Sequence, residues 1–342
     1  MADMSKLLRK LASSIAHQAD PQIHVVIGSE FSDEESPSLV PAVPQTASAE
    51  IVEPSGKIDP VPVGTPNTSG FSYFMDGMER RRLVMYISGI PVVYGYAAAG
   101  IRWRGADKRM YAHGDPSERE ALFCPRRLLE QLFFDLDIDV VDIEDAGSAL
   151  EDHPMIFLEA AKKKVSDIRS KLEAEVTSRW LAEFDGSNEW LLVDGSISGN
   201  YDQYPAPNIV GVVKSHQTQY FPIEDQRKIQ ALRVGERSGL FIPKGRNRPD
   251  VYSWYLRLWP NEGQDLHFGL VRVEAPKCDR TVRMVDEISR WLLAERAPLS
   301  MPDSRWDRML YPIRDCEQFL RSRAPSKTVL DAILMRFAAG RG

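Results

Sequence analysis

The chain contains the stretch Trp190-Leu191-Leu192-Val193-Asp194-Gly195-Ser196, which is typical of a short buried strand that ends on a carboxylate. The Gly-Ser pair after the aspartate favours a turn. A similar pattern lies upstream in Phe71-Ser72-Tyr73-Phe74-Met75-Asp76-Gly77. An aspartate at the tip of a buried strand is held rigidly where the sheet meets solvent, which suits a metal site. Asp-Gly is also a common turn pair, so either copy taken alone is more simply explained as a turn.

The composition is that of an ordinary globular protein, with 342 residues of which 43% are hydrophobic and 27% charged. The net charge of −6 excludes a protein-wide electrostatic attraction to nucleic acid, so DNA binding would use a local basic patch or a partner. The three cysteines show neither disulfide nor zinc spacing, which predicts a reducing, cytoplasmic location. No apolar run reaches the roughly 18 residues of a membrane span and no signal peptide is recognisable, so no membrane contact is predicted.

The pattern along the chain predicts three regions. Residues 1–28 include an amphipathic helix, with Leu7 and Leu11 on its apolar face, that would either pack on its own domain or dock a partner. Residues 29–70 are rich in Pro, Ser and Glu and are predicted to be a linker or a long surface excursion. Residues 71–342 form the predicted main domain.

Within that domain the apolar patterns predict an order of elements. Strands are expected at 71–76, 83–88, 92–100, 189–194, 209–215, 251–259 and 267–274, and helices at 117–134, 155–184, 281–295, 315–323 and 327–337. Three strands, then helices, then a strand ending at Asp194 is the order of an RNase H-like fold. The predicted fold class is therefore α/β, with an RNase H-like mixed sheet flanked by helices, preceded by the N-terminal helix and linker.

Catalysis on such a fold needs carboxylates from the first strand, a helix and the central strand. Two divalent cations would clamp a phosphodiester there, and Mg²⁺ or Mn²⁺ prefers oxygen ligands. Asp76 and Asp194 fit the two strand positions. On the helix, Glu173 and Glu175 flank the apolar stripe by similar angles, so periodicity does not choose between them, and Glu159 is a weaker candidate. Glutamates on a helix are mostly solvated, which is the alternative explanation for each.

Further oxygen ligands are available near the C-terminus. Asp307, Asp315 and Glu317 are the candidates. If a helix runs through this segment, Asp315 and Glu317 point about 200° apart, so only one of them can face the metals. Glu317 has the longer side chain and is the preferred candidate.

Basic residues near aromatic ones indicate where DNA would bind. The best segments are Arg102-Trp103-Arg104, Lys214, and 244–248, which has the sequence Lys-Gly-Arg-Asn-Arg. Cations would contact phosphates while a base stacks on the aromatic ring. An ordinary charged surface explains each of these segments equally well.

The chain resembles the NurA nuclease family in the order of several short motifs. The motifs are Phe74-Met75-Asp76-Gly77, Leu191-Leu192-Val193-Asp194-Gly195-Ser196, Val210-Gly211-Val212-Val213-Lys214-Ser215, Tyr255-Leu256-Arg257-Leu258, Phe268-Gly269-Leu270-Val271-Arg272-Val273-Glu274 and Tyr311-Pro312. Together they span most of residues 71 to about 320. The resemblance implies an RNase H-like nuclease core, Mn²⁺-dependent cleavage of DNA, a homodimer, and work with the hexameric ATPase HerA in DNA end processing. Bacterial members of the family also occur in antiphage systems.

The resemblance also implies roles for particular residues. Asp76 and Asp194 would bind the metals, a helix glutamate near Glu173, or else Glu175, would join them, and Lys214 would contact the phosphate. The family usually has a histidine shortly after the Tyr-Pro pair, where this chain has Asp-Cys-Glu-Gln at 315–318. Either an oxygen from this segment replaces the histidine as a ligand, or the site is weakened.

The resulting prediction is a cytoplasmic, metal-dependent DNA nuclease that acts as a dimer with a HerA-type ATPase, in DNA repair or antiphage defence. The alternative is a catalytically weakened dimeric adaptor that caps or regulates the ATPase, in which case the missing histidine reflects lost activity. A third interpretation is an acidic binding protein with no link to DNA.

Overall fold

The computed structural model describes residues 23–25, 30–31, 45–66, 68–128, 139–145, 147–197, 208–244, 251–296, 309–324 and single positions between 326 and 335. The amphipathic helix predicted around Leu7 lies outside the described residues. So do six of the eleven residues of the helix predicted at 327–337, and residues 129–134 of the helix predicted at 117–134.

The described strands and helices follow one another along the chain. The strands are β1 (Ile23–Val25), β2 (Glu30–Phe31), β3 (Gln45–Thr46), β4 (Ser48–Ile51), β5 (Val61–Pro62), β6 (Tyr73–Ile87), β7 (Ile90–Arg104), β8 (Met110–Cys124), β9 (Val140–Asp142), β10 (Leu191–Asp194), β11 (Ile209–Val213), β12 (Thr218–Gln219), β13 (Glu236–Arg237), β14 (Phe241–Lys244), β15 (Val251–Arg257) and β16 (Leu270–Pro276). The helices are α1 (Pro154–Glu183), α2 (Ile223–Gln230), α3 (Asp279–Glu295) and α4 (Tyr311–Arg323).

Most of these strands belong to one large mixed sheet, in the order β4-β14-β15-β16-β11-β10-β6-β7-β8-β9. Strands β6, β7 and β8 form an antiparallel meander, whereas β10 lies parallel to both β6 and β11. Strands β11, β16 and β15 are antiparallel neighbours. The predicted α/β class with a mixed sheet flanked by helices is therefore confirmed.

Helices cover both faces of this sheet because the strand side chains alternate. On one face, Val93 and Ala97 of β7 pack with Val165 and Ile168 of α1. On the other face, Tyr94, Tyr96 and Ala98 of β7 pack with Leu320 of α4, and α3 packs over β15 and β16. Burying an apolar side chain such as Ile168 contributes roughly 1.5–3 kcal/mol to stability, so these two layers hold the helices against the sheet.

The predicted helix at 155–184 is confirmed as α1. Pro154 begins the helix and the His153 ring accepts a hydrogen bond from the Met155 backbone N–H at 3.1 Å, which caps the N-terminus. The predicted helix at 281–295 is confirmed as α3. Helix α4 begins at Tyr311, four residues before the predicted start at Asp315. No helix in the described part of the chain is long and apolar enough to cross a membrane.

The predicted end of the first strand at Asp76 is wrong. Strand β6 continues through Asp76 and Gly77 to Ile87, so the pair is not a turn, and the strand predicted at 83–88 is the second half of the same strand. The turn instead lies at Ser88 and Gly89, which have φ angles of 51° and 80°. These two residues connect the paired residues Ile87 and Ile90. A two-residue loop with both φ angles positive matches the twist of a hairpin.

The helix predicted at 117–134 is wrong over its first eight residues. Ser117 to Cys124 belong to β8, which pairs with β7 along its length. Ala121 to Cys124 are buried on both sides of the sheet, between α1 and the opposite layer. A continuous apolar run of this kind has no period of its own, and sheet pairing decides its structure.

Part of the predicted linker belongs to the folded domain. Strand β4 pairs with β14 at the edge of the large sheet, with Glu50 opposite Ile242. Ile58 and Val63 are buried in the core. Residues 45–66 therefore pack against the domain, which differs from the linker predicted for 29–70.

Candidate functional site

The two aspartates predicted to form the site lie side by side. The parallel ladder between β6 and β10 pairs Met75 with Val193 and ends there. The next residue on each strand is an aspartate, so Asp76 and Asp194 are level on strands about 4.8 Å apart. Strand β10 ends at Asp194 as predicted, and Gly195, with a φ of 121°, turns the chain away from β6. The site therefore opens where the two strands separate.

The structure distinguishes the two helix glutamates, Glu173 and Glu175, between which the sequence did not decide. Glu173 is buried and its carboxylate lies against Gly77, where a Cβ atom would be only 2.1 Å from Glu173 Oε1. Glu175 instead accepts a hydrogen bond from the Ser117 hydroxyl at 3.1 Å. Glu159 is exposed and paired with Lys162. Gly77 is thus a strand residue that leaves room for the Glu173 side chain on the α1 side of β6, next along the strand from Asp76, and Glu173 itself does not line the cavity described below.

The structure also separates the two C-terminal candidates. Glu317 on α4 faces the same cavity as Asp76 and Asp194. Asp315 is turned away and accepts a hydrogen bond from Arg102 Nε at 2.6 Å. The third candidate, Asp307, lies outside the described residues. Glu317 therefore accompanies the two aspartates, as the side-chain length suggested.

A cavity of about 320 Å³ connects these elements. One wall is apolar and comes from the start of α4 and the loop before it, with Met309, Leu310 and Ile313. Apart from Gly77 and Met78, the rest is charged, with the carboxylates Asp76, Glu79, Asp194 and Glu317 and the cations Arg80, Arg81, Arg169, Lys214, Arg314 and Arg321. The cationic side chains outnumber the carboxylates, so the cavity suits an anionic ligand although the protein as a whole is acidic.

Burial and repulsion from neighbouring carboxylates raise the pKa values of Asp76 and Glu173. Burial raises the pKa of Asp76 well above its usual value, and the nearby Asp194, Glu317 and Glu173 raise it further, while Lys214 opposes the shift. Burial also raises the pKa of Glu173 to about 7, against the lowering effect of Arg169. These carboxylates are destabilised as anions and would gain from an added positive charge.

Lys214 behaves in the opposite way. Burial alone would lower its pKa, but Asp194, Asp76 and Glu317 outweigh burial and hold the pKa above its usual value. Its ammonium donates to Asp194 Oδ2 at 2.8 Å. Lys214 is therefore a charged lysine inside the carboxylate cluster, which agrees with its predicted place at the site.

The carboxylates are turned toward cations and not toward one another. Glu173 bonds to Arg169 at 3.1 Å, and Glu317 bonds to Arg321 at 2.7 Å. Among the residues that the structure describes, no three His, Cys, Asp or Glu side chains are grouped closely enough to hold a metal ion as they stand. Metal binding here would require side-chain rotations about fixed backbone positions.

Most of the predicted DNA-binding segment has a structural role. Arg102 bonds to Asp315 and stacks over Phe319, with 4.8 Å between the guanidinium and the ring centroid. Arg104 bonds to Glu295 at 2.9 Å. Trp103 is 38% exposed and packs beside Tyr111, but none of the three residues at 102–104 lines the cavity.

The other predicted basic segment is only partly described. Lys244 pairs with Glu50 at 2.6 Å on an edge strand, and residues 245–248 lie outside the described part of the chain. Among the described residues that were predicted to bind DNA, Lys214 is the only cation that lines the cavity.

Sequence reasoning missed the arginines of the cavity. Arg314 and Arg321 lie on α4 at positions i−3 and i+4 from Glu317, and Arg169 lies four residues before Glu173 on α1. Residues three and four apart share a helix face, so this spacing was the available signal. Arg80 and Arg81 follow Asp76 on the same strand, which explains their presence at the cavity.

Comparisons with known proteins add nothing to this geometry. A scan against protein-family models finds no match, and a search of curated proteins finds no significantly similar sequence. Any functional assignment therefore rests on the charged cavity and on the sheet that builds it.

Proposed function

We propose that this chain is a metal-dependent DNA nuclease with an RNase H-like core, related to the NurA family. The observation that carries the proposal is the pairing of Asp76 and Asp194 at the separation point of two parallel strands. Glu317 and six cationic side chains line the same cavity, and Glu173 lies against Gly77, the residue that follows Asp76. Carboxylates beside cations are the combination that a divalent metal and a phosphodiester need together.

The topology around the aspartates supports the RNase H-like part of the proposal. Strands β8, β7, β6, β10 and β11 are consecutive neighbours, of which the first three are antiparallel and the last two run parallel to β6. Helix α1 connects the meander to β10 and supplies Glu173. This is the strand order expected when an antiparallel meander is followed by a helix and a central parallel strand.

The side chains fit a magnesium or manganese ion by the chemistry of their donors. Asp76, Asp194, Glu173 and Glu317 offer only carboxylate oxygens, which these hard cations prefer. When bound, such ions polarise the phosphodiester and lower the pKa of a water nucleophile. Asp76 and Asp194 would hold them, with Glu317 and Glu173 joining after leaving their arginines.

The remaining residues of the cavity would bind and orient the substrate. Arg81, Arg314 and Lys214 lie within the cavity and can donate charge-assisted hydrogen bonds to phosphate oxygens. The apolar wall near Ile313 excludes water from one side, which strengthens those electrostatic contacts. Substrate binding by these residues does not depend on base identity, so we expect little sequence preference.

The partners proposed from the resemblance are a second copy of the chain and a HerA-type hexameric ATPase, with a cytoplasmic role in processing DNA ends during repair or antiphage defence. Light scattering of the purified chain and co-purification with the neighbouring ATPase test this part. A monomer that does not bind the ATPase would remove it and leave the nuclease proposal intact.

One observation favours the alternative of a catalytically weakened adaptor. The candidate ligands are held by Lys214, Arg169 and Arg321, and the described residues contain no preassembled group of three. If these ion pairs persist in the presence of metal, the fold would serve only as a platform for the ATPase.

A cleavage assay separates the two functions. We expect the wild type to cut labelled DNA in Mn²⁺ and to lose cleavage in EDTA, and Asp194→Asn to be at least about 100-fold slower. Asp152→Asn, which changes an exposed carboxylate paired with Arg127, should cut at the wild-type rate. A wild type that never cuts DNA, with or without the ATPase, would favour the adaptor.

A further inference from the structure

Three of the four proposed ligands have their own basic partner. Asp194 pairs with Lys214 at 2.8 Å, Glu173 with Arg169 at 3.1 Å and Glu317 with Arg321 at 2.7 Å. All three basic residues line the same cavity as Asp76. Three of the carboxylates that a metal would use are thus already paired with cations of the chain.

Lys214 is the most central of these partners. It contacts Asp194 directly and also interacts electrostatically with Asp76 and Glu317, on two other elements. Its side chain is 29% exposed, so the ammonium can move into the cavity without unfolding β11. Arg169, by comparison, is fixed between Glu79 and Glu173.

A divalent cation and the Lys214 ammonium cannot share Asp194 at close range. Both positive charges would lie within a few ångströms in a partly buried site, where water screens their repulsion poorly. The oxygen that accepts from the ammonium is also an oxygen that a metal would use. A cation on either oxygen of Asp194 repels the ammonium, so binding of the cation weakens the Lys214–Asp194 pair.

We infer that Lys214 holds the place of a metal ion and, when a divalent cation binds, moves from Asp194 to a phosphate of the DNA. Arg321 undergoes the same exchange at Glu317. The inference rests on the proposed metal and DNA binding and adds a coupling between them. Lys214 is a positioning residue in this scheme, because it controls when the carboxylates are available.

The exchange makes metal and DNA binding cooperative. The metal frees a cation that then binds phosphate, and a phosphate that holds this cation leaves the carboxylates free for metal. By thermodynamic linkage, each ligand raises the affinity of the other by the same factor. A lysine that served only as a phosphate contact would leave metal affinity without DNA unchanged.

The test measures Mn²⁺ affinity by isothermal titration calorimetry without DNA. We expect Lys214→Met to bind Mn²⁺ roughly tenfold more tightly than the wild type, because the competing ammonium is gone. Lys214→Arg keeps the charge and should stay close to the wild type. Lys228→Met is the matched control, since Lys228 also pairs with two aspartates, Asp59 and Asp225, but lies on α2 away from the cavity.

A second measurement follows DNA affinity by fluorescence anisotropy in EDTA and in Ca²⁺, used as a divalent probe. The wild type should bind DNA more tightly with Ca²⁺, and Lys214→Met should lose most of that gain. If circular dichroism shows that Lys214→Met is folded and the variant binds Mn²⁺ no more tightly than the wild type, the proposed exchange of Lys214 is wrong while the nuclease proposal stands. If the wild type binds no Mn²⁺ at all, the proposed function fails and the exchange fails with it.

Discussion

Gly77→Ala should remove activity without changing any proposed ligand. A Cβ atom on residue 77 would lie 2.1 Å from Glu173 Oε1 and 2.7 Å from Glu173 Cδ and Cγ, whereas ordinary contacts begin near 3.4 Å. The glutamate must therefore move by at least about 1 Å from its place against Gly77. Misplacement by about 1 Å of a group at the site can reduce the rate about 100-fold.

The stability cost of the same substitution should be smaller. Overpacking typically costs about 1–3 kcal/mol, and the low end applies because Glu173 can yield. In a Glu173→Ala background the clash disappears, so Gly77→Ala should then change the free energy of unfolding very little. Urea unfolding of the two single variants and the double variant measures this coupling.

A control separates lost stability from lost activity. At Gly95 of β7 an added Cβ would lie 2.4 Å from Phe123 and 2.6 Å from Val165, in the core and away from the cavity. Gly95→Ala should therefore destabilise the protein more than Gly77→Ala while its folded fraction cuts DNA at the wild-type rate. A Gly77→Ala variant that cuts DNA as fast as the wild type would refute the placement of Glu173 at the site.

Three further predictions concern single carboxylates. Glu317→Gln should reduce Mn²⁺-dependent cleavage by about 100-fold. Asp315→Asn removes the carboxylate that pairs with Arg102, so it should reduce mainly stability. Similar cleavage rates in the two variants would contradict this prediction. Because burial raises the pKa of Glu173 to about 7 from 4.5, its ionisation opposes folding as the pH rises between these values. Glu173→Gln should therefore gain stability relative to the wild type between pH 5 and 8 in urea unfolding, and a constant difference would refute the shift. Glu274 is fully buried and accepts hydrogen bonds from the Ser196 hydroxyl and the Ile197 N–H, in the turn that follows Asp194. Glu274→Ala should therefore lower the free energy of unfolding by about 3–5 kcal/mol. A decrease below about 1 kcal/mol would contradict this role.

The secondary structure that depends on local sequence was predicted correctly around Asp194 and in α1. A short apolar strand followed by Gly-Ser places Asp194 at a strand tip, because the strand and its turn are both encoded within seven residues. The long helix α1 was also predicted within one residue at each end. These features need no information from distant parts of the chain.

The errors occurred where tertiary contacts decide the structure. The Asp76-Gly77 pair has the sequence of a turn, but Gly77 is required because Glu173 approaches from a helix almost a hundred residues away in the sequence. Arg102 and Arg104 look like DNA-binding residues in sequence, yet their partners lie 213 and 191 residues further along the chain. The residues at 117–124 were predicted to begin a helix, but pairing with β7 makes them a strand. No local pattern contains this information.

Diffraction from crystals soaked in Mn²⁺, recorded at the manganese absorption edge, tests the central claim most directly. We expect anomalous peaks in the cavity within about 2.5 Å of carboxylate oxygens of both Asp76 and Asp194, with the Lys214 ammonium moved away from Asp194. Crystals of Asp194→Asn should lose these peaks. An empty cavity with the Lys214–Asp194 pair intact at saturating Mn²⁺, or manganese bound only elsewhere on the chain, would contradict the assignment of this pocket as a metal-dependent nuclease site.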